Sequence, residues 1–147
     1  MRSHYAAFAV QLLISAVFMY LLMYLMIASL EHFHLNLNAL YMTAAMVAPM
    51  AIAMLLLMPS MYPKGGLNFL LNCLFAAMFV AGIWFTREQT FIDDGQFLRS
   101  MIPHHSGAIL MCREAELSDP EIVELCGRIV RSQQEEITQM EAILQRY

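Results

Sequence analysis

Between Phe97 and Cys112 the chain reads FLRSMIPHHSGAILMC. At 100° per residue, Met101, His104, His105, Ala108, Met111 and Cys112 fall within one arc of roughly a third of a helix circumference. All of these except Ala108 carry a nitrogen or sulfur lone pair, while Arg99, Ser106 and Arg113 point the other way. An amphipathic helix ordinarily buries Leu, Ile and Val. This one places metal-ligand chemistry on its inner face.

Thioether and thiolate sulfur are soft ligands, and together with imidazole they favour Cu(I) over hard cations. Zinc sites take Cys and His but rarely thioether, so the 14 methionines of this chain are the discriminating feature. A thioether does not titrate, whereas imidazole must be neutral to bind. Copper affinity is therefore expected to weaken, without vanishing, as pH falls through about 6.5. Catalysis finds no support. There is no nucleophile–base pair, no phosphate-binding glycine loop and no H-E-x-x-H, and neither His104 nor His105 has a Glu three residues before it. The expectation is a protein that binds and is not an enzyme.

A second helix supplies the opposing face. Ser118-Asp119-Pro120 gives a turn, an N-cap and a proline suited to the first helical position, and Asp93 or Asp94 can cap the helix before it. The second helix is expected from Pro120 to about Leu144, with Cys126, Gln133 and Met140 recurring every seven residues along its inner line. Folded antiparallel, residues whose numbers sum to about 238 face each other. Cys112 then meets Cys126, His105 meets Gln133, Met101 meets Ile137 and Leu98 meets Met140. Gln133 and Glu136 come close enough to orient the imidazoles. Cys112 and Cys126 can join in a disulfide or ligate as thiolates, and spacing leaves both open. Pro103 is expected to kink the first helix just before the histidine pair.

These helices hang from an apolar sequence. Of 147 residues, 60% are hydrophobic and 14% charged. Only Arg2, Glu31 and Lys64 carry charge before Thr86, whereas six Arg oppose eleven Asp or Glu after it, a net of −5. The chain divides into a three-span membrane anchor, residues 1–85, and a charged helical-hairpin domain, residues 86–147. An acidic tail gives no electrostatic reason to bind nucleic acid. Spans are expected at about 5–30, 39–58 and 67–85, each long enough for a helix to cross a hydrocarbon core of ~30 Å. Arg2 and Lys64 place the N-terminus and the second turn in the cytoplasm, and the Glu31–Asn38 loop and the tail on the far side. Met42, Met46, Met50, Met54 and Met58 form a slanted ridge on the second span, more simply packing than conduit. His32 and His34, at the outer span ends, form with Met42, Met46 and Met50 a secondary metal-collecting candidate. Cys73 reads as a small buried apolar residue.

The tail resembles the bacterial "domain of unknown function 305" family. The likeness rests on FLRSMIPHHSGAILM (97–111), DPEIVELC (119–126) and SQQEEITQM (132–140). It implies an all-helical, ferritin-like fold and copper binding linked to copper tolerance in the periplasm or outside the cell. By that resemblance Met101, His104, His105, Met111 and Met140 are ligands, with Gln133 and Glu136 in support. The family's soluble members often hold two such hairpins and this chain has one, so homodimerisation into a four-helix bundle is expected. The first expectation is thus an all-α, membrane-anchored Cu(I)-binding protein of the bacterial cytoplasmic membrane, holding copper on its periplasmic side for sequestration or for hand-off to a delivery partner. A copper transport component using the methionine ridge, and a non-metal membrane interaction protein dimerising through its tail, are the alternatives.

Overall fold

The computed structural model of the chain describes residues 4–147, and among them every regular element is helical. The elements in order are α1 (His4–Leu22), a single 3-10 turn (Leu30–His32), α2 (Leu37–Leu57), α3 (Gly65–Glu88), α4 (Asp94–Glu114) and α5 (Pro120–Leu144). The chain forms two compact units. One contains α1, α2 and α3; the other joins Met23–Leu37 to Phe91–Tyr147.

In the first unit, α1, α2 and α3 are each long and apolar enough to cross a membrane. Their small shared core gathers Phe8 and Leu12 from α1, Val47, Ala51 and Leu55 from α2, and Tyr62 from the turn beyond it. Phe8 packs edge-on against both Tyr62 and Phe75. Small residues allow close approach. A Cβ on Gly82 would sit 2.9 Å from the Tyr41 carbonyl oxygen and 3.2 Å from the Ala45 Cβ, so α3 lies directly against the α2 backbone there. Tyr5 donates its hydroxyl hydrogen to Asn68 Oδ1 at 2.9 Å and accepts from the Lys64 amide at 3.0 Å. Met50 and Met54 lie half-buried on the core with Met19 and Met78, while Met42, Met46 and Met58 are exposed. Cys73 is exposed as well, not buried as its apolar character suggests.

The first helix ends at Leu22, well before the apolar run ends at Leu30. Tertiary contacts of the next residues account for the early end. Tyr24 belongs to the second unit, where it is buried, stacks against Phe33 at 4.5 Å between centroids, and donates to the His34 carbonyl at 2.9 Å. Apolarity alone does not distinguish a lipid-facing residue from one buried against protein. The segment Met23–Leu37, read from sequence as span end and loop, therefore belongs to the same compact unit as the tail.

In that second unit α4 and α5 run antiparallel. Asp93 caps α4 by accepting from the Gln96 amide, and Asp119 caps α5 by accepting from Glu121 and Ile122, with Pro120 at its start. The α4 helix continues through Pro103. Ile102 and Ile109 of α4 and Ile137 of α5 are fully buried together, flanked by Val130, Met140, Leu144 and Ala28. Burying three isoleucine side chains supplies roughly 5–9 kcal/mol of gross apolar stabilisation at the α4–α5 contact.

Candidate metal centre

The centre of the hairpin is a rung between α4 and α5. His105 Nε2 lies 2.8 Å from Glu136 Oε2, and its Nδ1 lies 2.9 Å from the Met101 carbonyl oxygen. The carbonyl can only accept, so Nδ1 carries a hydrogen. Glu136 is itself a junction: Ser132 donates to its Oε1 at 3.0 Å, and Gln133 Nε2 approaches its Oε2 at 3.5 Å. The expected facing of His105 and Gln133 is thus one turn out. Glu136 occupies that place, because the pairing sum is 241 at this rung and 238 at the Cys112–Cys126 end.

The register determines the neighbouring rung. Met101 precedes His105 by one turn on α4 and Met140 follows Glu136 by one turn on α5, so the two methionines stand level. Met140 is half-buried against the isoleucine cluster and Met101 is half-buried on α4. His104 is exposed, its ring 6.0 Å from that of His105 between centroids and inclined by 70°. Met111 is 58% exposed and lies two turns beyond His104, out of reach of an ion held beside it.

Cys112 and Cys126 form a disulfide, with Cα atoms 5.3 Å apart, which resolves the two readings left open by spacing and removes both sulfurs from the ligand set of the oxidised protein. Among the described residues, no three His, Cys, Asp or Glu side chains come together as a ready-made metal site. Outside the disulfide, the soft and imidazole side chains on this stretch of the two helices are Met101, His104 and His105 of α4 and Met140 of α5. That set suits a soft monovalent ion and is a poor fit to zinc.

His32 and His34 lie elsewhere in this unit. His32 is buried, and its Nδ1 lies 2.7 Å from Ser106 Oγ, which also accepts from the Ala28 amide at 2.7 Å. Ser106, on the face of α4 opposite the histidine pair, is fully buried. The inner face read from the sequence is therefore displaced: α4 buries Leu98, Ile102, His105, Ser106 and Ile109 and leaves His104 and Met111 exposed, because the isoleucines pack on α5 and Met23–Leu37 covers Ser106, which local spacing does not show. His34 Nε2 is buried without a hydrogen-bond partner. Burial lowers the His34 pKa, opposed by Glu141 and reinforced by Arg99 and His32. Asn36 donates to the Tyr24 hydroxyl and the His34 carbonyl, and Leu37 donates its amide to Gln96. These are the contacts of a docked strap. His32 and Ser106 are engaged with each other, not poised around an ion.

Residues 86–144 match the family described as "Domain of unknown function (DUF305)". A second comparison finds 37% identity over 118 residues to "Uncharacterized protein L153" of Acanthamoeba polyphaga mimivirus, covering 79% of this chain and 76% of that protein. The chain belongs to the DUF305 family. The match to the viral protein is longer than the DUF305 segment itself, so it takes in part of the sequence before Thr86 as well. No solved structure matches the chain significantly. Within the DUF305 segment lie α4, the Cys112–Cys126 bridge and α5, and so does every donor of the central rungs.

Proposed function

We propose that this DUF305 protein is a membrane-anchored Cu(I)-binding protein whose metal sits at the middle of the α4–α5 hairpin. The observation that carries the reading is the His105–Glu136 rung, whose register brings Met101 and Met140 level one turn along, with His104 next to His105. Met101, His104 and Met140 would hold the ion, and His105 would join by exchanging its Glu136 partner for metal. Glu136 and Gln133 would orient the ring. Bound copper would be stored or handed on, with no reaction at the protein. Met111 stands apart and would serve a transient contact at most.

The three apolar helices would anchor the hairpin to a bacterial cytoplasmic membrane. An outward, periplasmic tail fits both the Lys64 turn on the inner side and a disulfide in an oxidising compartment. Ile122, Val123 and Leu125 on α5 are each nearly half exposed. That apolar surface would be covered by a second copy, completing a four-helix bundle and giving a homodimer.

A second reading is favoured by one observation: both ring nitrogens of His105 already have partners. On that reading the hairpin is a dimerising interaction module without metal. Copper transport along the span methionines has less support, because Met42, Met46 and Met58 are exposed while Met50 and Met54 pack on the core. The test is a Cu(I) titration of the purified chain against a competing chelator. Wild type is compared with His104→Ala/His105→Ala, Met101→Leu/Met140→Leu and Met46→Leu/Met50→Leu. Loss of binding in the first two and its retention in the third support the hairpin centre. Binding by none of the forms, wild type included, leaves the dimerisation reading. Loss only in the third variant, together with loss of proteoliposome uptake, supports transport.

A further inference from the structure

The end of the hairpin holds a second pair of sulfurs with its own surroundings. Cys112 and Cys126 line an open groove of about 460 Å³ together with Leu117, Val123, Gly127 and Arg131. Both cysteines are partly accessible, so a thiolate from outside can reach the bond. Gly127 leaves the approach clear: Arg131 Nη1 is 3.8 Å from where a Cβ would stand. Arg131 makes no ion pair among the described residues; the two that occur are His105–Glu136 and Arg128–Glu124. An unpaired guanidinium lining the same groove as a disulfide favours negative charge on the departing sulfur. Moreover, the disulfide is one of several contacts between α4 and α5. The isoleucine cluster and the His105–Glu136 rung also join α4 to α5, so two reduced sulfurs would remain neighbours.

We propose that the Cys112–Cys126 bond is a redox gate over a second soft-metal site, closed as the disulfide and open as a dithiol that takes one Cu(I). In the gating step an external dithiol attacks one sulfur, the disulfide of the reductant forms, and Cys112 and Cys126 each leave with a proton. In the binding step the two thiols lose both protons and their sulfurs bond one Cu(I), with no change in the oxidation state of copper. The inference deepens the copper reading, resting on it for the identity of the cation but using none of its donors.

The full chain, in detergent, is treated with dithiothreitol under native conditions; alkylation of one portion reports the free thiols, and a second portion, freed of dithiothreitol anaerobically, is titrated with Cu(I) against a chelator. Both cysteines are expected to become alkylatable with the helical circular dichroism unchanged. The reduced chain is expected to bind about one more Cu(I) than the oxidised chain, with thiolate-to-copper charge-transfer absorption in the near ultraviolet. His104→Ala/His105→Ala keeps this increment, Cys112→Ser/Cys126→Ser lacks it, and Arg131→Met slows reduction about three- to ten-fold. If the oxidised chain binds no copper yet reduction adds one equivalent, the central site fails and the gate stands. A disulfide that yields only on denaturation, or a reduced wild-type chain that gains no copper, overturns the proposal.

Discussion

His105 and Glu136 meet across the hairpin at 2.8 Å, with the other nitrogen of the ring held at 2.9 Å by the Met101 carbonyl. The adjacent His104 is exposed and makes no such pair among the described residues. Neighbouring histidines therefore differ in what they contribute. His105→Ala removes a buried ring and both of its bonds, and is expected to cost about 2 kcal/mol of stability in the C-terminal unit; His104→Ala should cost less than about 0.5 kcal/mol. Denaturant unfolding of the metal-free protein separates them. Equal costs would mean that the rung contributes nothing structural.

Because Nε2 of His105 is taken by Glu136, copper has to displace a carboxylate to use that nitrogen. Glu136→Gln weakens the rung and is expected to destabilise the unit by about 1 kcal/mol, a modest figure because the Glu136 side chain is 47% exposed. The same change frees the ring, so Cu(I) affinity should fall by less than about three-fold, against a loss of ten-fold or more in His105→Ala. Chelator competition on both variants checks the contrast. A Glu136→Gln variant as defective as His105→Ala would place Glu136 on the metal.

The isoleucine cluster sets the register that makes the rungs. Ile137 is fully buried between Ile102 and Ile109, and Ile137→Ala is expected to cost about 2–4 kcal/mol and to reduce copper binding indirectly by loosening the α4–α5 interface. Unfolding of the C-terminal unit, followed by denaturant titration, measures the first effect. A cost below about 1 kcal/mol would show that the hairpin is held mainly by its disulfide and caps.

Much of this hairpin is legible in the sequence. Ser118-Asp119-Pro120 carries its own chemistry of turn, cap and first-turn proline, so α5 begins at Pro120 as expected. Cys112 and Cys126 fall together because a short turn fixes the antiparallel register near it. Farther from the turn the register drifts by three residues, enough to bring Glu136 rather than Gln133 to His105. A one-turn displacement leaves the polar–apolar pattern of a helix nearly unchanged, so periodicity cannot detect it. The end of α1 is hidden for a different reason. Tyr24-Leu25-Met26-Ile27 is as apolar as a span, and only the tertiary partners Phe33, Ser106 and Gly107 show that the segment leaves the helix.

His34 makes the C-terminal unit sensitive to acid. Its pKa is lowered from 6.5, with burial the leading cause, Glu141 opposing, and Arg99 and His32 adding to the shift. The folded state therefore prefers the neutral ring, whereas the unfolded chain protonates near the ordinary value. Stability from this group is complete above about 6.5 and is lost as pH falls through the lowered folded value. The melting temperature is expected to fall between about pH 7.5 and pH 5, and His34→Gln should flatten that slope. Identical slopes in wild type and variant would remove His34 as the source.

One hydroxyl holds two points of the strap Met23–Leu37. Ser106 Oγ accepts from the Ala28 amide and stands against His32 Nδ1, both at 2.7 Å, in a position with no solvent access. Ser106→Ala deletes that oxygen and leaves two buried polar groups unpaired, a loss of about 2–3 kcal/mol. Ser106→Cys retains the volume but replaces a strong partner with a weak one, and should fall between wild type and alanine. The effect is local to the strap, since the isoleucine cluster and the His105–Glu136 rung hold α4 against α5 without using the Ser106 hydroxyl. Hydrogen exchange at the Ala28 amide should therefore accelerate at least ten-fold in Ser106→Ala while amides in the middle of α5 change little. Uniform acceleration through α5 would show instead that the strap and hairpin unfold as one.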